Sequence, residues 1–276
     1  MWIFKSYFPS RAPYPVSISI HAMKCRLDKL LVERGVTPSR ERAQALILAG
    51  RVLVNEQKQE KPGSSVPCDA NLRLLGEDLR YVSRGGLKLE AALQHWKIDL
   101  SGKFCLDVGA STGGFTDCML QHGAARVLAI DTGYGQIAQK LRSDARVALM
   151  ERTNARILEA GSLPPDIQFL SMDVSFISAT LVLPAVIRAI QRPTTRLPLE
   201  AVVLVKPQFE AGRGHVGKGG IVRDPAAHQL AIERVRSCVE DLRGLNIEVI
   251  DSPIQGAEGN HEFLLHAQWG RAGNTD

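Results

Sequence analysis

The chain has 276 residues, of which 45% are hydrophobic and 23% charged, with a formal net charge of +5. That length is expected to hold one large or two smaller domains with a substantial core, and no apolar run of about 18 residues marks a membrane span. The five cysteines (Cys25, Cys68, Cys105, Cys118 and Cys238) are scattered, with no CxxC or metal-ligand spacing. They read as free, mostly buried thiols in a reducing cytoplasm, and no metal is expected.

The charge is unevenly placed. Residues 1–84 carry 14 Lys/Arg against 8 Asp/Glu, while the remainder carries 20 against 21. A small basic module joined to a near-neutral larger domain predicts a nucleic-acid-binding unit attached to something else.

Residues 1–22, with Pro9, Pro13 and Pro15 and no helical or strand period, read as a disordered extension. From Met23 the pattern sharpens. Leu27, Leu30 and Leu31 form an amphipathic helix ended by Gly35. Thr37 or Ser39 caps a second helix, which runs through Ala43, Leu46 and Ile47 to Gly50. Strands follow at Arg51–Asn55 and Asn71–Leu75, separated by Pro62, Gly63 and Pro67. The basic residues of this module, Arg26, Lys29, Arg40, Arg42 and Arg51, are candidate RNA contacts, because guanidinium and ammonium groups on rigid helices neutralise phosphates and follow A-form shape.

Beyond residue 83 a helix with Leu89, Ala92, Leu93 and Trp96 on one stripe precedes an alternation of strands and helices. Strands are expected at Phe104–Asp107, Arg126–Asp131, Val147–Glu151, Ile167–Asp173 and Ala201–Lys206, with helices between them. Such alternation predicts a parallel sheet covered on both faces. The end differs: Ile247–Ser252 and Glu262–Trp269 are two strands joined by a short link, an antiparallel hairpin closing the sheet.

The stretch Asp107-Val-Gly-Ala-Ser-Thr-Gly-Gly-Phe-Thr-Asp117 follows the first of these strands and opens a helix. Strand, glycine-rich turn and helix start together present backbone N–H groups to a ligand. The dinucleotide Gly-x-Gly-x-x-Gly spacing is absent, and the stretch resembles the Asp-x-Gly-x-Gly-x-Gly loop of class I methyltransferases with Ser111 in place of the middle glycine. Ligands of such sheets bind at the carboxyl ends of the strands. Asp107, Asp131, Asp173 and Lys206 end strands there, Glu151-Arg-Thr-Asn154 follows another, and Glu262 begins the antiparallel one at the same edge. An acid, a base and a carboxylate on one rim suit proton removal from a hydroxyl, with a desolvated lysine as base.

Arg84-Gly-Gly-x-Lys88-Leu, the glycine loop, Asp131-Thr-Gly-Tyr-Gly-Gln136, Asp173-Val-Ser-Phe-Ile-Ser178, Val205-Lys-Pro-Gln-Phe-Glu210 and Gly259-Asn-x-Glu262 together resemble the TlyA family. These are FtsJ-like ribosomal RNA 2′-O-methyltransferases, and Arg26-Leu-Asp-Lys-Leu-Leu with Ser39 through Asn55 is similar to their S4-like RNA-binding domain. The resemblance implies a small α+β S4-like domain over 23–82, then a class I (Rossmann-like) α/β methyltransferase domain over 83–270, a doubly wound sheet with a C-terminal antiparallel hairpin, then a tail at 271–276. It implies a catalytic tetrad of Lys88, Asp173, Lys206 and Glu262, with Arg84 added to the RNA contacts. It implies S-adenosylmethionine held by Asp107, Gly109, Ala110, Ser111, Thr112, Gly113, Gly114, Phe115, Asp131, Asn154 and Asp173. The expected substrate is cytidine ribose in ribosomal RNA or ribosomal subunits, in the cytoplasm. The other reading is an RNA-binding or haemolysin-like protein whose methyltransferase fold is inert. No amphipathic or apolar segment supports stable membrane insertion.

Overall fold

The computed structural model describes residues 23–37, 39–75, 80–190, 198–256 and 258–270. The extension expected at 1–22 and the tail expected at 271–276 lie outside the described residues. The chain divides between residues 78 and 79 into two compact units.

The first unit contains β1 (Lys24–Arg26), α1 (Leu27–Glu33), α2 (Arg40–Leu48), β2 (Val52–Val54), β3 (Gln57–Gln59), β4 (Ser65–Pro67) and β5 (Leu72–Leu74). Ser39 caps α2, its side chain accepting from Arg42 N at 3.2 Å. Gly35 and Gly50 follow the two helices at φ +67° and +64°, the left-handed step that ends a helix. Leu27, Leu30 and Leu31 of α1 pack with Ala43, Leu46 and Ile47 of α2 and with Val52, Val54 and Val66. β2 sits between β3 and β5 in an antiparallel sheet, and β1 pairs with β4. β1, β3 and β4, three residues each and lacking an apolar run, left no readable mark in the sequence.

The expectation of five free thiols is corrected here. The β1–β4 register sets Cys25 opposite Val66, which brings Cys68 within a Cα separation of 5.2 Å, and the two are joined in a disulfide. Their 43-residue separation in sequence hid the pairing. Cys105, Cys118 and Cys238 are free.

The second unit begins with α3 (Gly85–His95) and continues β6 (Phe104–Val108), α4 (Gly114–Gln121), β7 (Arg126–Ile130), α5 (Gln139–Arg142), β8 (Val147–Met150), β9 (Phe169–Met172) and α6 (Ala179–Ile190). It ends with β10 (Leu199–Val205), α7 (Pro207–Glu210), α8 (Pro225–Asp241), β11 (Leu245–Asp251) and β12 (Phe263–Trp269). The seven strands run in the order β11-β12-β10-β9-β6-β7-β8. β10, β9, β6, β7 and β8 are parallel, and β12 is antiparallel to both β10 and β11. Leu106, Val108 and Leu128 point to the α6/α8 layer, while Cys105, Val127 and Ala129 point to the α3/α4 layer. Both faces of the sheet are therefore apolar, which is why its central strands read as continuous hydrophobic runs. The chain leaves β6 toward β7 in one direction and returns at β9 in the other, so a switch point opens between β6 and β9. Among the described residues no helix is long and apolar enough to cross a membrane, and no cluster of His, Cys, Asp and Glu could hold a metal.

The division between units lies ahead of the expected boundary at 82/83 because Tyr81 and Val82 belong to the second unit. Tyr81 is buried in the α3/α4 layer, and Val82 N donates to Asp117 Oδ2 at 2.8 Å. A Cβ on Gly86 would overlap the Tyr81 ring. Gly86→Ala should therefore destabilise the chain by about 1–3 kcal/mol through overpacking, measured by chemical denaturation; an unchanged midpoint would show that the ring moves aside freely.

Candidate active site

The loop after β6 is shaped by backbone that only glycine adopts easily: Gly109 and Gly113 have φ of +84° and +95°. Ser111 has φ +50°, so the serine occupies the left-handed position of the glycine it replaces. Gly109 N and Ala110 N donate to Ile130 O at 2.8 and 3.2 Å, which docks the loop on the end of β7. Asp131 follows that strand, and its carboxylate takes Ser111 N at 2.7 Å and Gly133 N at 2.6 Å.

Two cavities meet at this loop. The larger, about 600 Å³, has apolar walls that include Val108, Ile130, Ala155, Ile177 and Val182, with Asp131 and Asn154 at its polar edge. The smaller, about 350 Å³, is lined by the loop, by Ser83, Arg84 and Lys88, and by Asp173, Lys206 and Glu262. Gly109, Ser111, Asp173, Ser175 and Phe176 line both.

The four rim residues form two ion pairs. Lys88 of α3 reaches Glu262, just ahead of β12, at 2.5 Å, and both are buried. Lys206, at the end of β10, lies 2.6 Å from Asp173, at the end of β9, and donates to Ser175 Oγ at 2.7 Å. The antiparallel pairing of Val205 with Phe263 makes Lys206 and Glu262 neighbours at one edge. Asp173 Oδ1 is in ion-pair range of Lys206 but off the angle of a hydrogen bond, and Gln208 Oε1 is likewise buried without a hydrogen-bond partner. A buried acceptor without a donor, such as Gln208 Oε1, suits a group brought by a ligand. A large apolar slot with a carboxylate at its edge fits an adenosyl group, and the adjoining cavity fits its reactive end.

Most residues expected at the site are on these walls: Gly109, Ala110, Ser111, Thr112, Gly114, Phe115, Asp131, Asn154, Asp173, Lys88, Lys206, Glu262 and Arg84. Asp107 and Gly113 are not. Asp107 is fully buried beneath the loop, accepting from Thr116 Oγ1 at 2.6 Å and Ser171 Oγ at 3.1 Å. Gly113 is the N-cap of α4, and a Cβ there would overlap Leu141. Of the basic residues in the first unit, Arg26, Lys29 and Arg40 are exposed, while Arg42 and Arg51 are partly buried, Arg51 donating to Leu75 O at 2.8 Å. The sequence reading missed Ser175, Gln208 and, above all, Phe176. Phe176 is 90% exposed at the mouth shared by both cavities, has φ +64°, and sets its ring 5.7 Å from that of Phe209. An exposed aromatic at a positive φ on the wall of both cavities is a candidate for contact with a ligand, but φ leaves no trace in the residue type.

A family model described as FtsJ-like methyltransferase matches residues 81–269, and an S4 domain model matches residues 25–67. The chain belongs to the TlyA family of FtsJ-like methyltransferases that carry an S4 domain. It is 49% identical to YqxC of Bacillus subtilis, over 89% of this chain and 86% of that protein. It is 42% identical to the 16S/23S rRNA (cytidine-2′-O)-methyltransferase TlyA of Mycobacterium tuberculosis, over 88% of this chain and 90% of that one. A solved structure of a hemolysin-named protein from Streptococcus thermophilus has a TM-score of 0.66 and 42% identity, covering 91% of this chain and 90% of its own.

Burial pushes the Asp107 carboxyl up to about 6, against the partial opposition of the Thr116 and Ser171 hydroxyls. The folded chain then holds this proton more tightly than the unfolded chain does. Asp107 therefore opposes folding increasingly from about pH 4, with its full effect reached above about pH 6. The stability of Asp107→Asn relative to the parent should accordingly rise between pH 4 and pH 7, followed by thermal melting; a constant difference across that window would overturn this account.

Proposed function

We propose that the second unit transfers a methyl group from S-adenosylmethionine to the 2′-hydroxyl of a cytidine ribose in ribosomal RNA, and that the first unit holds the RNA. The cytoplasm, where ribosomal subunits are assembled, is the fitting site of action. The observation that carries this reading is the Lys206–Asp173 pair at the junction of the two cavities. The names of the relatives, an rRNA cytidine-2′-O-methyltransferase among them, supply the substrate class.

When bound, S-adenosylmethionine supplies an electrophilic methyl on a sulfonium. Asp131 would hold its ribose hydroxyls, Asn154 would meet the adenine edge, and the loop residues Gly109 to Thr112 and Gly114 would receive its amino-acid end. Lys206, after its ammonium has released a proton to water, accepts the proton of the 2′-hydroxyl as the oxygen attacks, with Asp173 and Ser175 fixing its Nζ. Glu262 holds Lys88 over the smaller cavity, where its ammonium and the Arg84 guanidinium receive the phosphate beside the target ribose. One oxygen–carbon bond forms, one sulfur–carbon bond breaks, and the hydroxyl proton passes to Lys206 and then to water. Phe176 supports the unstacked base, since a nucleotide whose ribose enters the cavity must leave its helical stack.

Lys206→Ala should reduce methylation of rRNA by about 100-fold or more, while S-adenosylmethionine binding, measured by calorimetry, stays within a few-fold. Normal turnover in that variant would sink the role of Lys206. Loss of base stacking is worth about 1–3 kcal/mol per base, so Phe176→Ala should lower kcat/KM on rRNA by about 10- to 100-fold, and Phe176→Tyr should restore most of it. Equal activity of the alanine and tyrosine variants would remove Phe176 from the substrate path.

A further inference from the structure

Two arginines of the first unit share one buried carboxylate. Asp28, in the first turn of α1, is fully buried. Its Oδ1 accepts from Arg26 Nε and Lys29 N, both at 3.0 Å. Its Oδ2 accepts from Arg26 Nη2 at 2.9 Å, Arg40 Nε at 2.8 Å and Gln44 Nε2 at 3.0 Å. Arg26 thus meets Asp28 fork-on, and Arg40 and Gln44 reach it from α2. These donors, Arg26 foremost, hold the carboxyl well below the usual carboxylate range, so it stays ionised.

The arginines are not consumed by this contact. Their side chains remain 49% and 47% exposed. Two guanidinium groups on one carboxylate leave a net positive charge at the surface, and each guanidinium plane is fixed by a hydrogen bond at its Nε. A long arginine side chain ordinarily loses much of its rotamer freedom when it binds; here that ordering is completed when the unit folds. Gly63 lies beside the Arg26 guanidinium, where a Cβ would come within 3.6 Å of Nη1.

We infer that Asp28 holds Arg26 and Arg40 as a preformed two-guanidinium clamp for the phosphate backbone of RNA. The inference rests on the reading of the first unit as the RNA-holding part. Asp28 is a positioning residue: it is buried and acts through the arginines. Its expected effect has the opposite sign to that of simple charge. Asp28→Asn makes the chain more positive, so non-specific attraction to phosphate would strengthen. With no carboxylate to anchor them, the two arginines instead splay into solvent, and binding weakens.

The test is fluorescence-anisotropy titration of the full chain with rRNA extracted from cells lacking this protein, across a salt series. Folding of each variant is checked by circular dichroism. Asp28→Asn is expected to bind about 5- to 10-fold more weakly, with a shallower salt dependence. Arg26→Gln and Arg40→Gln should each weaken binding, and the double variant should lose less than the sum of the two, because they form one clamp. Unchanged or tighter binding by folded Asp28→Asn overturns the inference. Should Asp28→Asn fail to fold, Arg40→Lys decides, since it keeps the charge and removes the fork; affinity equal to the parent's overturns the clamp, and a loss of about fivefold supports it. Failure of the parent chain to bind rRNA is a separate outcome, which overturns the RNA reading and the clamp with it.

Discussion

The close approach of Gly109 to the backbone of Asp173 is the constraint on which the second unit's site depends. A Cβ on Gly109 would overlap the Asp173 carbonyl, and φ of +84° carries the loop across the end of β9. Asp173 N in turn donates to Val108 O at 2.9 Å, so the last residues of β6 and β9 are locked side by side. This is the switch point of the sheet, where the chain's two directions of winding leave a crevice. The loop that frames one cavity therefore shares a wall with the carboxylate that frames the other. Any side chain at position 109 would separate the cavities by pushing Asp173 and its lysine away.

A second constraint brings Glu262 to the same rim from 174 residues beyond its partner Lys88. Reversal of β12 relative to β10 returns the chain to the edge where the parallel strands end. Gly256 lies against Glu262, and a Cβ there would overlap Oε1. Gly256 N donates to Asn260 O, and Ser252 N to Glu262 O, both at 2.9 Å. The buried Asn260 side chain accepts from Val222 N and donates to Gly220 O, which ties the glycine-rich 211–223 segment to the turn that carries Glu262. The position of one carboxylate is thus set by backbone on three sides.

Much of this was legible in the sequence because strand ends are. A polar residue closing an apolar run fixes its place on the sheet edge, and Asp131, Asp173 and Lys206 all stand where that rule puts them. Asp107 obeys the same pattern yet faces inward, since strand parity turned its side chain under the loop toward Thr116 and Ser171. Residue type does not report parity at a bend. The hub at Asp28 was hidden for another reason: a buried aspartate at the second position of a helix reads as an exposed helix-start acid until α2 delivers Arg40 and Gln44. The Cys25–Cys68 bond and the left-handed Phe176 were equally out of reach, because one depends on register between three-residue strands and the other on a dihedral.

The two rim ion pairs have little to recommend them as stabilising devices. Removing two charges from water costs several kcal/mol per ion, and a hydrophobic pair of the same volume often serves stability as well or better. Their value lies in the chemistry. On the proposed reading, Asp173 would face the positive sulfonium of the bound donor before transfer and the lysine that takes up the proton after it. The positive charge moves from sulfur to nitrogen while both stay in the field of one fixed carboxylate. Asp173 thus compensates a cation before and after transfer, and the cavity need not rearrange between the two states. Lys88 and Glu262, already paired with each other, leave the net charge around that carboxylate undisturbed.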